Sequence, residues 1–333
     1  MIALIIVLVV AAIIFSGGLF SFYYTFFCSE KNKISDKKFI DKKIIDEKFV
    51  PIVTKLIDEL INLPFISMQI KSYDGLTLKG NFYELKKGAP VIIFFHGYRS
   101  SMYFDCCGAY RFAKNTGCNF LLCSHRAHGV SEGKVITFGI RESKDVLSWI
   151  KHINKEFSSS LPIILYGISM GASAVMMSTA LNLPPNVKGI CADCGFSSAK
   201  DVIKRRIEFD MKLPTMFFYP FVYIGALLFG GFSLEKTSAE KALKQNNIPI
   251  IFLHGEKDDI VPIEMGIKDY KANKGIKKFV RFKNATHGTS YLYEPLRYTN
   301  EITEFIKNAL EVDGNRRFES VDRENQRNNF VKY

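Results

Sequence analysis

Six short runs of β-branched and aromatic residues constrain the fold more than anything else in the chain: Val91 to His96, Asn119 to Ser124, Pro162 to Gly167, Val187 to Asp193, Pro249 to His254 and Lys278 to Lys283. Segments with helical spacing lie between them, for example Ile140 to Ile153, Ala172 to Leu181, Pro262 to Asn273 and Tyr298 to Ala309. Strands and helices in alternation predict an α/β fold, a mostly parallel central sheet with helices on both faces. In such a sheet chemistry gathers at the carboxyl ends of the strands. A hairpin precedes the series: Ile66 to Ser72 and Leu76 to Leu85 flank Tyr73-Asp74-Gly75, whose Asp-Gly favours a tight turn.

One strand end stands out. Gly167-Ile168-Ser169-Met170-Gly171 follows the run ending at Leu165 and opens the helical stretch Ala172 to Leu181. A serine in mid-strand would lie against its own sheet, whereas one at a sharp strand-to-helix turn is thrust outward. The flanking glycines fit a turn that neighbouring backbone must approach closely. A serine hydroxyl is a weak nucleophile near neutral pH, so it needs a base within hydrogen-bond reach and a third group to orient that base.

The chain has six histidines. His287, past the last strand and before the last helix, is the expected base, with His128 as the rival. For the acid, Asp258 follows the strand ending at His254. Asp259 is the expected cap of the next helix, and Asp193 is a further contender at the preceding strand end. The developing oxyanion needs preorganised backbone donors, one of which can contribute about 3 to 4 kcal/mol. Met170, next to the serine, and Tyr98, after the strand Val91 to Phe95, are expected to supply their N–H groups.

Phe94-Phe95-His96-Gly97-Tyr98, His125-Arg126-Ala127-His128-Gly129-Val130-Ser131-Glu132-Gly133, Gly167-Ile168-Ser169-Met170-Gly171, His254-Gly255-Glu256-Lys257-Asp258 with Val261-Pro262, and His287-Gly288 together resemble the successive motifs of the alpha/beta-hydrolase superfamily. The likeness runs over residues 66 to 311 and is greatest to membrane-anchored bacterial serine hydrolases of the esterase and serine aminopeptidase-like group. It implies a Ser169, Asp258, His287 triad with Tyr98 and Met170 at the oxyanion hole. The chain departs from the pattern at one loop: where the family reads Asp-x-Arg-Gly-His-Gly, Ser124 and Ala127 replace the Asp and the Gly.

Met1 to Ser29 carries no charged residue and exceeds the roughly 20 residues needed to cross a bilayer core. A membrane anchor is expected over residues 1–29. A cleavable signal peptide would call for a basic start and a small-residue exit, and the segment offers neither. Residues 30–65 read as a basic juxtamembrane stalk followed by an amphipathic helix between Pro51 and Pro64. The stalk holds Lys31, Lys33, Lys37, Lys38, Lys42 and Lys43, with no basic residue before the span, so the positive-inside tendency puts the catalytic domain in the cytoplasm. Seven cysteines without repeated metal spacing agree with a reducing compartment, and Cys191 and Cys194 lack a second pair to make a zinc site.

The formal charge of +12 is spread along the chain, which argues for a solvated surface and against a nucleic-acid patch. Residues 66–311 are expected to form the catalytic domain, with a lid at about 197–247, and 312–333 a disordered polar tail. The lid's uncharged, aromatic stretch Leu213 to Leu234 could span a membrane by length, but a crossing there would separate Ser169 from Asp258 and His287. Its Pro214, Pro220, Gly225, Gly230 and Gly231 predict short pieces. Phe217, Phe218, Phe221 and Tyr223 are expected to line an apolar substrate cleft. These features point to a hydrolase of small-molecule or lipid-like acyl esters, requiring no metal or organic cofactor. A peptidase using the same residues and a non-catalytic scaffold are the other readings.

Overall fold

The β-branched runs form strands because each is apolar on both sides and finds a layer of helices above and below. In the computed structural model, which describes residues 1–30, 33 and 45–311, the runs become strands of an eight-stranded sheet whose first and last strands are partly exposed. The eight are β1 (Ile66–Lys71), β2 (Thr77–Tyr83), β3 (Val91–Phe95), β4 (Asn119–Cys123), β5 (Ile163–Ile168), β6 (Val187–Asp193), β7 (Ile250–Gly255) and β8 (Lys277–Phe282). Of the six stalk lysines only Lys33 is among the described residues, and the tail 312–333 lies outside them.

The sheet order is β1-β2-β4-β3-β5-β6-β7-β8. β2 runs antiparallel to both its neighbours, and every pair from β4 to β8 is parallel. From β3 the chain moves to one side for β4 and returns to the other for β5. The strand order therefore reverses at β3, and the loops leaving β3 and β5 adjoin at the carboxyl edge, where an open α/β sheet leaves a crevice.

The helices are α1 (Ile2–Thr25), α2 (Val50–Asn62), α3 (Ala109–Thr116), α4 (Glu142–Glu156), α5 (Met170–Ser178), α6 (Ala199–Arg205), α7 (Thr215–Leu228), α8 (Ala239–Leu243), α9 (Ile263–Ala272) and α10 (Pro295–Leu310), with single helical turns at Met102–Asp105 and Ser290–Tyr293. One face of the sheet is covered by α4 and α5, through Val146, Trp149, Ile150 and Met176. On the other face, α3 and α10 bury Phe112, Ile302, Phe305 and Ile306. The apolar side of α2, Val53, Leu56 and Ile57, packs with Phe49 and Cys107 in a small separate cluster.

The N-terminal helix is continuous with this core. Residues 1–16 are exposed, but Phe22, Phe26 and Cys28 belong to the cluster beneath α4 and α5. The ring of Phe26 meets those of Phe138 and Phe232 edge-on, with centroids 5.9 and 5.2 Å apart.

Between β6 and β7 the insertion comprises α6, a wider helical turn at Arg206–Asp210, α7 and α8. Contrary to the sequence expectation, α7 is not broken into short pieces: it runs through Pro220. A proline inside a helix removes one hydrogen bond and crowds the preceding turn, and here close packing of α7 on α1 compensates.

Candidate active site

The turn after β5 is set by two close approaches. A Cβ on Gly167 would stand 2.4 Å from the backbone of Gly171, and one on Gly171 would stand 2.1 Å from the carbonyl oxygen of Phe95. Only glycine fits at either place. Between them Ser169 adopts φ 55° and ψ −116°, a conformation that costs a non-glycine residue about 1 to 3 kcal/mol. Its N–H donates to the carbonyl of Asp193 at 2.8 Å, and its own carbonyl accepts from Ser173 at 3.0 Å, so the strained turn is tied to β6 and to α5.

Three side chains from three strand ends meet there. Ser169 Oγ lies 2.8 Å from His287 Nε2, and His287 Nδ1 lies 2.8 Å from Asp258 Oδ2. The other carboxylate oxygen, Asp258 Oδ1, accepts from the N–H groups of Ile260 and Val261 at 3.1 and 2.8 Å. Asp258 is buried, while the His287 side chain keeps 18% of its surface exposed. Burial opposes the charged imidazole, but the Asp258 carboxylate beside it outweighs this, with Asp105 and Asp193 adding, and the His287 pKa is raised. This is the electrostatic setting of a base that can hold a proton transiently.

The rival histidine has other partners. His128 Nε2 accepts from the N–H of Arg99 at 2.9 Å, and its Nδ1 bonds the carbonyl of Arg126 at 2.8 Å. His96 is used the same way, accepting from the N–H of His125 at 3.1 Å. Burial pushes the His96 pKa down to about 4 and that of His128 well below the ordinary range, so these imidazoles are neutral props for the loops. The departure at Ser124 and Ala127 sits among them. Ser124 Oγ donates to the carbonyl of His128 at 3.0 Å, and Ala127 takes φ 60°, where the related pattern has glycine.

The loop after β3 lies against Ser169: a Cβ on Gly97 would come within 3.2 Å of Ser169 Cβ. The next residue, Tyr98, finds no acceptor for its N–H among the described residues. As first residue of α5, Met170 has an N–H beyond the reach of any intrahelical acceptor. Both donors are thus available to a ligand. The Tyr98 side chain turns away, its hydroxyl donating to the carbonyl of Thr25 at 2.7 Å, while Arg99 Nη2 donates to those of Tyr24 and Phe27 at 3.0 and 3.1 Å. The last carbonyls of α1 are capped by the same loop that borders Ser169.

Two buried acids beside His287 have distinct roles. Asp193, the contender in the sequence, accepts from the Tyr298 hydroxyl at 2.6 Å, and Tyr298 in turn bonds Tyr166. Burial pushes its pKa up to about 7. Asp105 was not legible as a site residue: it accepts from the N–H of Gly97 and from Ser100 Oγ, the latter at 2.6 Å, and burial raises its pKa. A carboxyl several residues past a strand end looks like any helix-turn residue in sequence, and only the fold brings it under the loop of Tyr98. Cys194 Sγ lies within 4.8 Å of the Asp258 and His287 ligand atoms, and burial, with Asp193 and Asp258, raises its pKa well above the thiol range.

The lid residues expected to line the cleft do otherwise. Phe221 lies against Gly17 of α1, Tyr223 sits beside Tyr219, and Phe217 and Phe218 face outward. α7 packs along α1, with Gly225 against the Gly18 carbonyl.

A parallel sheet with an antiparallel second strand, a nucleophile turn after β5 and an insertion between β6 and β7 is the alpha/beta-hydrolase fold. Among solved structures, the chain resembles the Pyrococcus furiosus esterase Pf2001, with a TM-score of 0.61 at 23% identity, covering 75% of this chain and 92% of that one. An esterase from Exiguobacterium antarcticum aligns with a TM-score of 0.55 at 15% identity, covering 73% and 100%. The family described as Phospholipase/Carboxylesterase matches residues 210–310, a range that holds Asp258 and His287. By sequence the chain is 25% identical over 192 residues to the uncharacterized protein YqkD of Bacillus subtilis, 58% of this chain and 63% of that protein. It spans less than two thirds of that relative's length. It is also 25% identical over 251 residues to protein bem46 of Schizosaccharomyces pombe, 74% of this chain and 77% of that protein.

Proposed function

We propose that this chain is a membrane-anchored serine hydrolase that cleaves carboxylic esters with an apolar acyl group. The observation that carries the reading is the unbroken hydrogen-bond line from Ser169 Oγ through His287 to Asp258. The esterases among its structural neighbours and the match to a phospholipase and carboxylesterase family support the ester class.

Ser169 Oγ attacks the acyl carbon while its proton passes to His287 Nε2. Asp258 holds Nδ1–H and balances the imidazolium. The carbonyl oxygen becomes an oxyanion facing the N–H groups of Tyr98 and Met170. Collapse breaks the bond to the leaving alkoxide, which takes the proton from Nε2, and an acyl-enzyme remains. Water, deprotonated by the same imidazole, attacks this ester, and the acid leaves as Ser169 recovers its proton.

α1 is long and apolar enough to cross a membrane, and it serves as the anchor in this reading. The stalk lysines favour a cytoplasmic domain. The test is a panel of esters, thioesters and aminoacyl amides of graded acyl length, run on the full chain and on Ser169→Ala. Ester turnover that vanishes in the variant is expected. Turnover of aminoacyl amides with none of esters would replace this reading with a peptidase.

A further inference from the structure

Leu213 to Leu234 is a run without a charged residue, lying between Lys212 and Glu235. Its helix α7 leaves Met216, Phe217 and Leu228 exposed by 74, 61 and 65%. A patch of large apolar side chains like this one marks an interaction surface, and α1 indicates its partner.

The two helices cross at glycines. A Cβ on Gly225 would stand 2.5 Å from the carbonyl oxygen of Gly18, and one on Gly17 would stand 2.4 Å from the Phe221 ring. The ring of Phe229 meets those of Phe15 and Phe22, with centroids 5.2 and 6.0 Å away. Small residues that let two helix backbones touch are the usual packing device inside membranes, where apolar side chains gain nothing from leaving lipid.

Length fixes the depth. The exposed part of α1, residues 2–16, which meets the rest of the chain through Phe15 and Phe229, is about 22 Å long at a rise of about 1.5 Å per residue. A hydrocarbon core is about 30 Å thick, and any tilt of the helix lengthens the path. If α1 spans the bilayer, the missing length of about 8 Å comes from residues beyond Ser16. Those are the residues on which α7 is packed.

We propose that α7 is a second membrane-embedded element, lying among the acyl chains of the near leaflet beside α1, with Met216, Phe217, Phe218, Leu227 and Leu228 in contact with lipid. The inference rests on the anchor reading above and deepens it. Because Tyr98 and Arg99 bond the last carbonyls of α1, it also puts the loop bordering Ser169 at the membrane surface. An acyl chain leaving the bilayer would reach the nucleophile without crossing water, which makes membrane lipids or their long-chain acyl derivatives the substrate class.

The test uses the full-length chain in phosphatidylcholine and phosphatidylglycerol vesicles with or without bromine on the acyl chains. The single tryptophan, Trp149, is buried in the core and gives a constant background. Phe217→Trp and, at the other end of α7, Leu228→Trp are expected to show blue-shifted added emission that brominated lipid mostly removes. Phe157→Trp, at the far end of α4 on the opposite edge of the sheet, is expected to be unaffected, and Ile6→Trp reports the anchor alone. Quenching of Ile6→Trp with none at either α7 position would overturn the inference, whether water or a second copy of the chain covers that face, and would leave the anchor standing. No quenching at any position would remove both.

Discussion

At the scale of single residues, the site turns on how burial and one carboxylate compete for the His287 proton. Asp258 wins, and the imidazole pKa is raised. A raised pKa means the base is lost to protonation earlier as pH falls. Asp258→Asn removes the charge and leaves the side chain's shape. The acidic limb of kcat/KM is expected to move to lower pH, while the plateau drops on the order of a thousandfold to ten-thousandfold, because Nδ1–H loses the partner that fixes the tautomer. A pH profile of both proteins checks both effects. Asp193 offers a stability counterpart. Its pKa rises from an ordinary 3.8 to about 7, so between those values the native state keeps a proton that the unfolded chain has released. Stability therefore falls as pH rises across that window. Asp193→Asn keeps an acceptor for Tyr298 and has nothing to titrate. Relative to the parent it is expected to gain on the order of 4 kcal/mol between pH 4 and pH 8, read from urea midpoints at each pH.

At the scale of elements, the loop after β3 couples α1 to the candidate site. A helix ends with unpaired carbonyls and a partial negative charge, which a cation relieves. Arg99 supplies it to α1, and Tyr98 adds a hydroxyl to the next carbonyl. Arg99→Ala is expected to cost about 1 to 2 kcal/mol in a denaturation midpoint. It is also expected to lower kcat more than it raises KM, since in the proposed mechanism the loosened loop carries the Tyr98 N–H that faces the oxyanion. Equal kcat in the variant and the parent would show that the loop holds its shape without the helix.

At the scale of the whole molecule, legibility in the sequence followed the range of the forces involved. Strand runs and the glycine-flanked Ser169 are local patterns, so the sheet and its nucleophile turn could be read directly. Asp258 and His287 could be named because each follows a strand that must end at the same edge. The partners of Phe217, Phe218, Phe221 and Tyr223 could not, since an apolar side chain carries no mark of which surface it will cover, and Phe221 packs on α1. Asp105 was hidden for the converse reason: its role comes from a loop that the fold lays over it. The same long-range packing makes a last prediction about the N-terminal segment. If residues 1–28 were a removable leader, the domain would be complete without them, yet Phe22, Phe26 and Cys28 are buried in the main core. Deleting residues 2–16, which touch the domain little, is expected to leave cooperative unfolding at nearly the parental temperature. Deleting residues 2–28 takes away Phe26 and leaves Phe138 and Phe232 facing a void. Loss of one such buried ring costs about 3 to 5 kcal/mol, so the longer deletion is expected to lower Tm by on the order of 10 °C, measured in detergent for all three proteins. An unchanged Tm in the longer deletion would mean that the helix is held by the membrane alone and contributes nothing to the core.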